Sequence, residues 1–119
     1  MATIKSHTDL PQSKKLKEFL PLESADMCYL SEESLVPKVI YNGMAFFDGK
    51  EEKLTNIIRC WSLAALLGVI PKPDLVQNSE GTWLLHSWVN DYPWSVGGYS
   101  NPVDACVEMI LKLHEQNLL

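Results

Sequence analysis

Cys60 is the residue whose type and setting come nearest to chemistry. It stands just before Trp61 and Ser62, and serine is a strong helix-capping residue. A thiol at a helix N-terminus ionises more readily, and the thiolate is the nucleophile. His86 could serve as its base, with Asp91 or Asp104 orienting the ring. The plainer reading is that Cys60 fills core, because free cysteine is among the most buried residue types. Residue type alone gathers this set. The expectation is therefore no catalytic residue, with Cys60, His86 and Asp91 as the positions to check.

The three cysteines, Cys28, Cys60 and Cys106, are far apart, odd in number and never paired as C-x-x-C. Structural zinc takes closely spaced ligand pairs, so no metal is expected. The pattern fits reduced thiols in a cytoplasm and not a disulfide framework. Gly97-Gly98 before Asn101 lacks the frame of a phosphate loop. Glu32-Glu33 and Glu51-Glu52 read as solvated charges, since no alternating acidic loop with an internal glycine surrounds them. No cofactor is expected. His114 reads as a core-edge histidine, and His7 has no specific role.

Aromatic residues crowd one short stretch, with Trp83, Trp88, Tyr92, Trp94 and Tyr99 close in sequence. Aromatics on a sheet can stack exposed bases. They can equally be core, where each buries a large area. If exposed, Trp88, Tyr92, Trp94 and Tyr99 would make an interaction surface for a protein partner or a second copy. The 10 basic and 15 acidic residues leave a net charge of −5, which argues against broad contact with nucleic acid. Lys14, Lys15 and Lys17 are too short a cluster for an electrostatic footprint and read as a solvated helix face. An acidic inhibitor of a nucleic-acid-binding protein is an alternative. It would need the carboxylates gathered on one face, and they are scattered along the sequence.

The elements that must position these residues follow from period and punctuation. At 119 residues the chain fits a single domain, with 1–10 frayed. A short helix is expected at 13–19, capped by Ser13 and ended by Pro21. Residues 27–30 read as a strand, and 31–34 as a polar connection. Asn42-Gly43 between apolar runs predicts a hairpin of strands 38–41 and 44–47, followed by a charged loop over 48–53. The stretch 54–62 is ambiguous between helix and strand; the preferred reading is an extended entry into a helix at 63–67. Ser62 would cap that helix and Gly68 would close it. After a turn at 78–81, TWLLHSWV at 82–89 predicts a strand that is central or covered on both sides. A four-residue loop, 90–93, leads to a returning strand at 94–99, weakened near Gly97-Gly98. Asn101, Pro102 and Asp104 predict the start of a helix over 102–116. No run is long and apolar enough to span a bilayer, which needs about 20 residues.

Three phrases, FLPLESADM at 19–27, CWSLAALLGVIP at 60–71 and NPVDACVEMILKLHEQNLL at 101–119, carry a resemblance. Together they are similar to a family of uncharacterised small proteins of gut bacteria, associated with mobile elements. The resemblance implies a compact α+β fold and carries no activity or catalytic residue. The residues themselves give the same class. They predict a mostly antiparallel sheet of about four or five strands, packed on one face by a short central helix and a long C-terminal helix. The expected function is a small, non-catalytic accessory or interaction protein of a bacterial cytoplasm, with a homodimer plausible. A small Cys/His enzyme centred on Cys60 and His86 is the alternative.

Overall fold

Asp9 starts the first helix, and Ser13 does not. The computed structural model describes residues 5–29, 37–41, 44–47, 50–53 and 57–119. In α1 (Leu10–Leu16) the Asp9 carboxylate accepts from the Gln12 backbone N–H at 2.9 Å. The Gln12 side chain accepts from the Asp9 N–H at 3.1 Å. This reciprocal box satisfies two donors at once, which a lone serine cannot do. Ser13 lies inside the helix, fully buried, and its hydroxyl donates to the Asp9 carbonyl at 2.6 Å.

The segment before α1 is not frayed from Lys5 onward. Thr8 is fully buried, its N–H donates to the Trp61 carbonyl at 2.9 Å, and its hydroxyl accepts from the Trp61 N–H at 3.0 Å. His7 forms an antiparallel bridge with Ser62. Polar residues lacking a period can still be held by long-range backbone pairing, which sequence period does not register.

The first sheet has five antiparallel strands in the order β4-β3-β2-β1-β5. They are β1 (Met27–Tyr29), β2 (Lys38–Tyr41), β3 (Met44–Phe47), β4 (Lys50–Lys53) and β5 (Ile58–Cys60). The hairpin expected around Asn42-Gly43 pairs Ile40 with Ala45 and Tyr41 with Met44, though its turn lies outside the described residues, as does the 31–34 connection. Lys50–Lys53, read from sequence as loop, is an edge strand in register with β3. The ladder uses backbone groups, so a charged strand can pair, and charge at an edge discourages pairing with other chains. Of the ambiguous stretch, Ile58–Cys60 is a strand, and 54–56 lie outside the described residues.

Ser62 caps α2 (Leu63–Val69), its hydroxyl oxygen accepting from the Ala65 N–H at 3.2 Å. Gly68 does not close this helix; it lies within it. The helix stops at Ile70, which is extended at φ −78 and ψ 128. Pro71 follows, and proline disfavours helical geometry in the residue before it.

The second sheet is antiparallel in the order β6-β7-β8, comprising β6 (Asp74–Gln77), β7 (Trp83–Val89) and β8 (Tyr92–Tyr99). The central position expected for β7 is what the structure shows. Its partner β6 has no sequence signal, being short and mostly exposed. The β7–β8 connection is tighter than the four-residue loop expected. Asn90 and Asp91 sit at φ 52 and φ 62, and Val89 already pairs with Tyr92. Two left-handed residues make a primed turn whose twist suits a hairpin, and Asn and Asp tolerate that conformation best after glycine. The register slips between Trp83 and Leu85, opposite Gly97-Gly98, and Gly98 at φ 82 absorbs the irregularity.

Asn101 caps α3 (Pro102–Glu115) by accepting from the Asp104 N–H at 2.9 Å. At the far end the Asn117 N–H donates to the His114 carbonyl and the Leu118 N–H to that of Leu113, each at 2.9 Å, with Asn117 at φ 58. This Schellman turn folds Leu118 back beside the helix. The core is shared by the helices and β7. Trp61, Leu66, Leu85, Cys106, Met109, Ile110 and Leu113 are all fully buried. Each such aliphatic side chain contributes about 1.5–3 kcal/mol on burial. The fold is α+β and antiparallel, as expected. It differs in having two sheets where one was expected, with α1 on β5 and α3 on β7 and β8.

Candidate interaction site

Cys60 has the wrong environment for a nucleophile. It is fully buried on β5, packed with Tyr29 and Ile58. Burial pushes its thiol up to about 12, with Cys28 and Asp26 adding to the shift. A thiolate would need the opposite shift. His86 lies on β7 of the other sheet, and Asp91 is exposed in the hairpin turn. Among the described residues no hydrogen bond joins Cys60 to His86. Asp104 is engaged elsewhere, by Lys5, Gln12 and Asn101.

The other cysteines are also fully buried. Burial pushes the Cys106 thiol up to about 12. Burial raises Cys28 as well, against the opposing charge of Arg59. Among the described residues no three His, Cys, Asp or Glu side chains gather as a metal site. His114 is exposed at the edge of the core, where Phe19 packs against the buried cluster. Its ring stacks on Phe19 with centroids 3.8 Å apart and planes 7° from parallel. His7, given no role from sequence, meets the Tyr29 ring edge-on at 6.2 Å.

The aromatic hairpin divides between the two faces of the second sheet. Leu85 and Ser87 are buried on the face under α3, and cross-strand pairing places Trp94 and Val96 beside them. Trp94 and Tyr99 on that face are half-buried against the core. Burial, then Glu108 and Asp104, raise the Tyr99 phenol. Tyr92 is on the same face but 63% exposed, at the hairpin tip. Trp88 points the other way and is 48% exposed. The four aromatics expected as one surface are therefore not one patch. Alternation of side chains across the strand separates Trp88 from the rest.

The outer face has a composition that sequence reasoning missed. On it Trp88 pairs with exposed Pro93, and Leu84 pairs with Val76, itself 45% exposed. Gly97 leaves room for Leu84; a Cβ there would lie 3.3 Å from its Cγ. Across the middle of this apolar face runs a polar row. Asp74 of β6, His86 of β7 and Ser95 of β8 stand directly opposite one another in register. Opposed side chains in an antiparallel pair are close neighbours on one face. His86 therefore has Asp74 beside it and not Asp91. The missing signal was β6, because its four residues show no alternating pattern strong enough to mark a strand.

No family model matches the chain, and neither the curated proteins nor the solved structures gave a match. Among the described residues no helix is long and apolar enough to cross a membrane.

Proposed function

We propose that this chain is a non-catalytic interaction protein that docks a protein partner on the outer face of β6, β7 and β8. The observation that carries the reading is Trp88, 48% exposed on an ordered central strand. Pro93 lies directly beside it, and Leu84 with Val76 forms a second apolar pair on the same face, across the polar row of Asp74, His86 and Ser95. Tryptophan is enriched among residues that dominate binding energy, and exposed apolar side chains beside polar groups mark docking surfaces. The reading invokes no cofactor, no metal and no nucleic acid. A second copy is the first partner to test, since one patch can serve both sides of a two-fold interface. The reduced thiols suit a bacterial cytoplasm, and the likeness to small gut-bacterial proteins belongs to the same proposal.

Sedimentation velocity over a concentration series tests self-association, and affinity purification from a bacterial host tests other partners. The expected result is an association that the Trp88→Ser substitution abolishes. A strict monomer that retains the same host proteins with and without Trp88 would refute the reading.

A further inference from the structure

Each of the two sheets ends in a pair of edge strands, and an open edge is a template for pairing with another chain. Three of these edges are blunted. β4 consists of Lys50, Glu51, Glu52 and Lys53. Just past β5, the Thr8 N–H donates to the Trp61 carbonyl and the Leu63 N–H to that of Ser6. On β8, Pro93 has no N–H to offer, the Lys112 ammonium occupies the Ser95 carbonyl at 3.2 Å, and the register slips opposite Gly97-Gly98. β6 (Asp74–Gln77) carries no lysine, no proline and no irregularity in its register with β7.

The phase of the ladder fixes which groups of β6 are open. Along an antiparallel strand, the backbone groups of successive residues point alternately toward the neighbour and away from it. The Asn78 N–H donates to the Thr82 carbonyl at 2.9 Å, one step beyond the Gln77–Trp83 pair. Asn78, Val76 and Asp74 therefore direct their backbone groups at β7. Leu75 and Gln77 direct theirs outward, and among the described residues no hydrogen bond reaches those backbone groups. Between these two open positions stands Val76, 45% exposed, with its side chain on the outer face.

We propose that β6 pairs antiparallel with β6 of a second copy, about a two-fold axis through Val76. In this register Leu75 lies opposite Gln77 of the second copy, and the two exchange both of their open backbone bonds. The two Val76 residues meet in the close, non-hydrogen-bonded position, with Cα atoms about 4.5 Å apart. Asp74 faces Asn78 and not a second carboxylate. Neighbouring registers are worse. An axis through Leu75 would set Pro73, which has no donor, opposite Gln77, and an axis through Asp74 would oppose two like charges. The pairing joins two three-stranded sheets edge to edge, with both outer faces on the same side. Those faces stay open, so the edge contact is separate from the docking face around Trp88, and either can fail without the other.

A contact of four residues a side is far smaller than a stable interface, so the pairing is transient and a covalent trap reads it better than sedimentation. The test is oxidation of full-chain Val76→Cys with copper–phenanthroline, with disulfide-linked dimer followed on non-reducing gels. The native cysteines are fully buried and do not compete. The control is Asp74→Cys, at an exposed position on the same strand and face. Val76→Cys should cross-link at least about tenfold faster, because its paired Cα atoms lie within disulfide reach while those of two Asp74 residues lie roughly 14 Å apart. Adding Gln77→Pro removes an outward donor and leaves the β6–β7 bonds whole, so it should slow Val76→Cys to the Asp74→Cys rate. Adding Trp88→Ser should leave the rate unchanged. Equal rates for Val76→Cys and Asp74→Cys overturn the proposal, as does undiminished cross-linking in the presence of Gln77→Pro. A rate lost with Trp88→Ser would also overturn it and would assign the contact to the outer face.

Discussion

Lys5 Nζ lies 2.8 Å from Asp104 Oδ1 and joins the segment before α1 to the first turn of α3. Lys5 also reaches Asp9 Oδ2 at 3.0 Å. Gln12 Nε2 donates to the same Asp104 oxygen at 2.8 Å, and Asn101 Nδ2 donates to the other at 2.8 Å. Burial pushes the Asp104 carboxyl up. The hydrogen bonds from Lys5, Gln12 and Asn101 outweigh it and hold the group below the ordinary carboxylate value. A value lower in the folded than the unfolded state stabilises the fold above the unfolded value, about 4. That contribution is lost as pH falls through the depressed folded value. Asp104→Asn should therefore flatten the acid side of the stability curve. Near neutrality it should cost about 1 kcal/mol, a figure reduced for screening because the side chain is 34% exposed. Urea unfolding of both proteins from about pH 3 to pH 7 checks this. Identical pH slopes would contradict it.

The two ends of that network differ in how far the sequence announces them. Asn101, Pro102 and Asp104 mark the start of α3 by local rules that no distant residue can change. The strands around Asn42-Gly43 and the central place of β7 are legible for the same reason. Lys5 is not legible, because its meaning depends on Asp104, which only the fold brings near. The same holds for β6 and β4. Val76 in a four-residue exposed strand acquires its role from Leu84 across the ladder, a pairing set by the register of the turn between them and not by side-chain period. The site inherits this limit. Trp88 could be named from sequence, but its separation from Trp94 depends on strand phase. The Asp74–His86–Ser95 row depends on the register of three strands.

Cys28, Cys60 and Cys106 are each fully buried, and the thiols of Cys60 and Cys106 are pushed up to about 12. Folded protein should resist iodoacetamide near pH 8, where an ordinary exposed thiol, with a value of about 8.5, reacts readily. Mass spectrometry after timed exposure should show unmodified chain under native conditions and three adducts after unfolding in urea. Rapid alkylation of Cys60 alone in the folded state would revive the nucleophile reading.

The turn at Asn90-Asp91 separates a structural role for Asp91 from a catalytic one. Asp91 sits at φ 62, in a region that costs an ordinary side chain about 1–2 kcal/mol. Asp91→Gly removes that strain and creates the Asn-Gly pair most favoured in such turns, so a gain of about 0.5 kcal/mol is expected. Asp91→Val should lose about 1–2 kcal/mol, since a β-branched residue tolerates positive φ poorly. Thermal unfolding of the two variants gives the comparison. A loss of stability in Asp91→Gly would mean the carboxylate makes a contribution that the turn geometry does not explain.

Trp61 and Trp88 are the same residue type under opposite constraints, and their substitutions should separate stability from binding. Trp61 is fully buried, and its indole N–H donates to Ser24 Oγ at 2.9 Å. Trp61→Ala removes a large core side chain and leaves that hydroxyl without its donor, so a loss of about 3–5 kcal/mol is expected. In a small domain such a loss consumes a large part of the total stability. Trp88, 48% exposed, has much of its surface already in water. Trp88→Ser should change stability by less than about 1 kcal/mol, because truncation there leaves no closed cavity. If the outer face docks a partner, the same substitution should remove the association while the unfolding midpoint stays nearly fixed. Urea unfolding and sedimentation on one set of samples measure both quantities. A Trp88→Ser variant that unfolds as easily as Trp61→Ala would place the residue in the core and leave the docking face without its anchor.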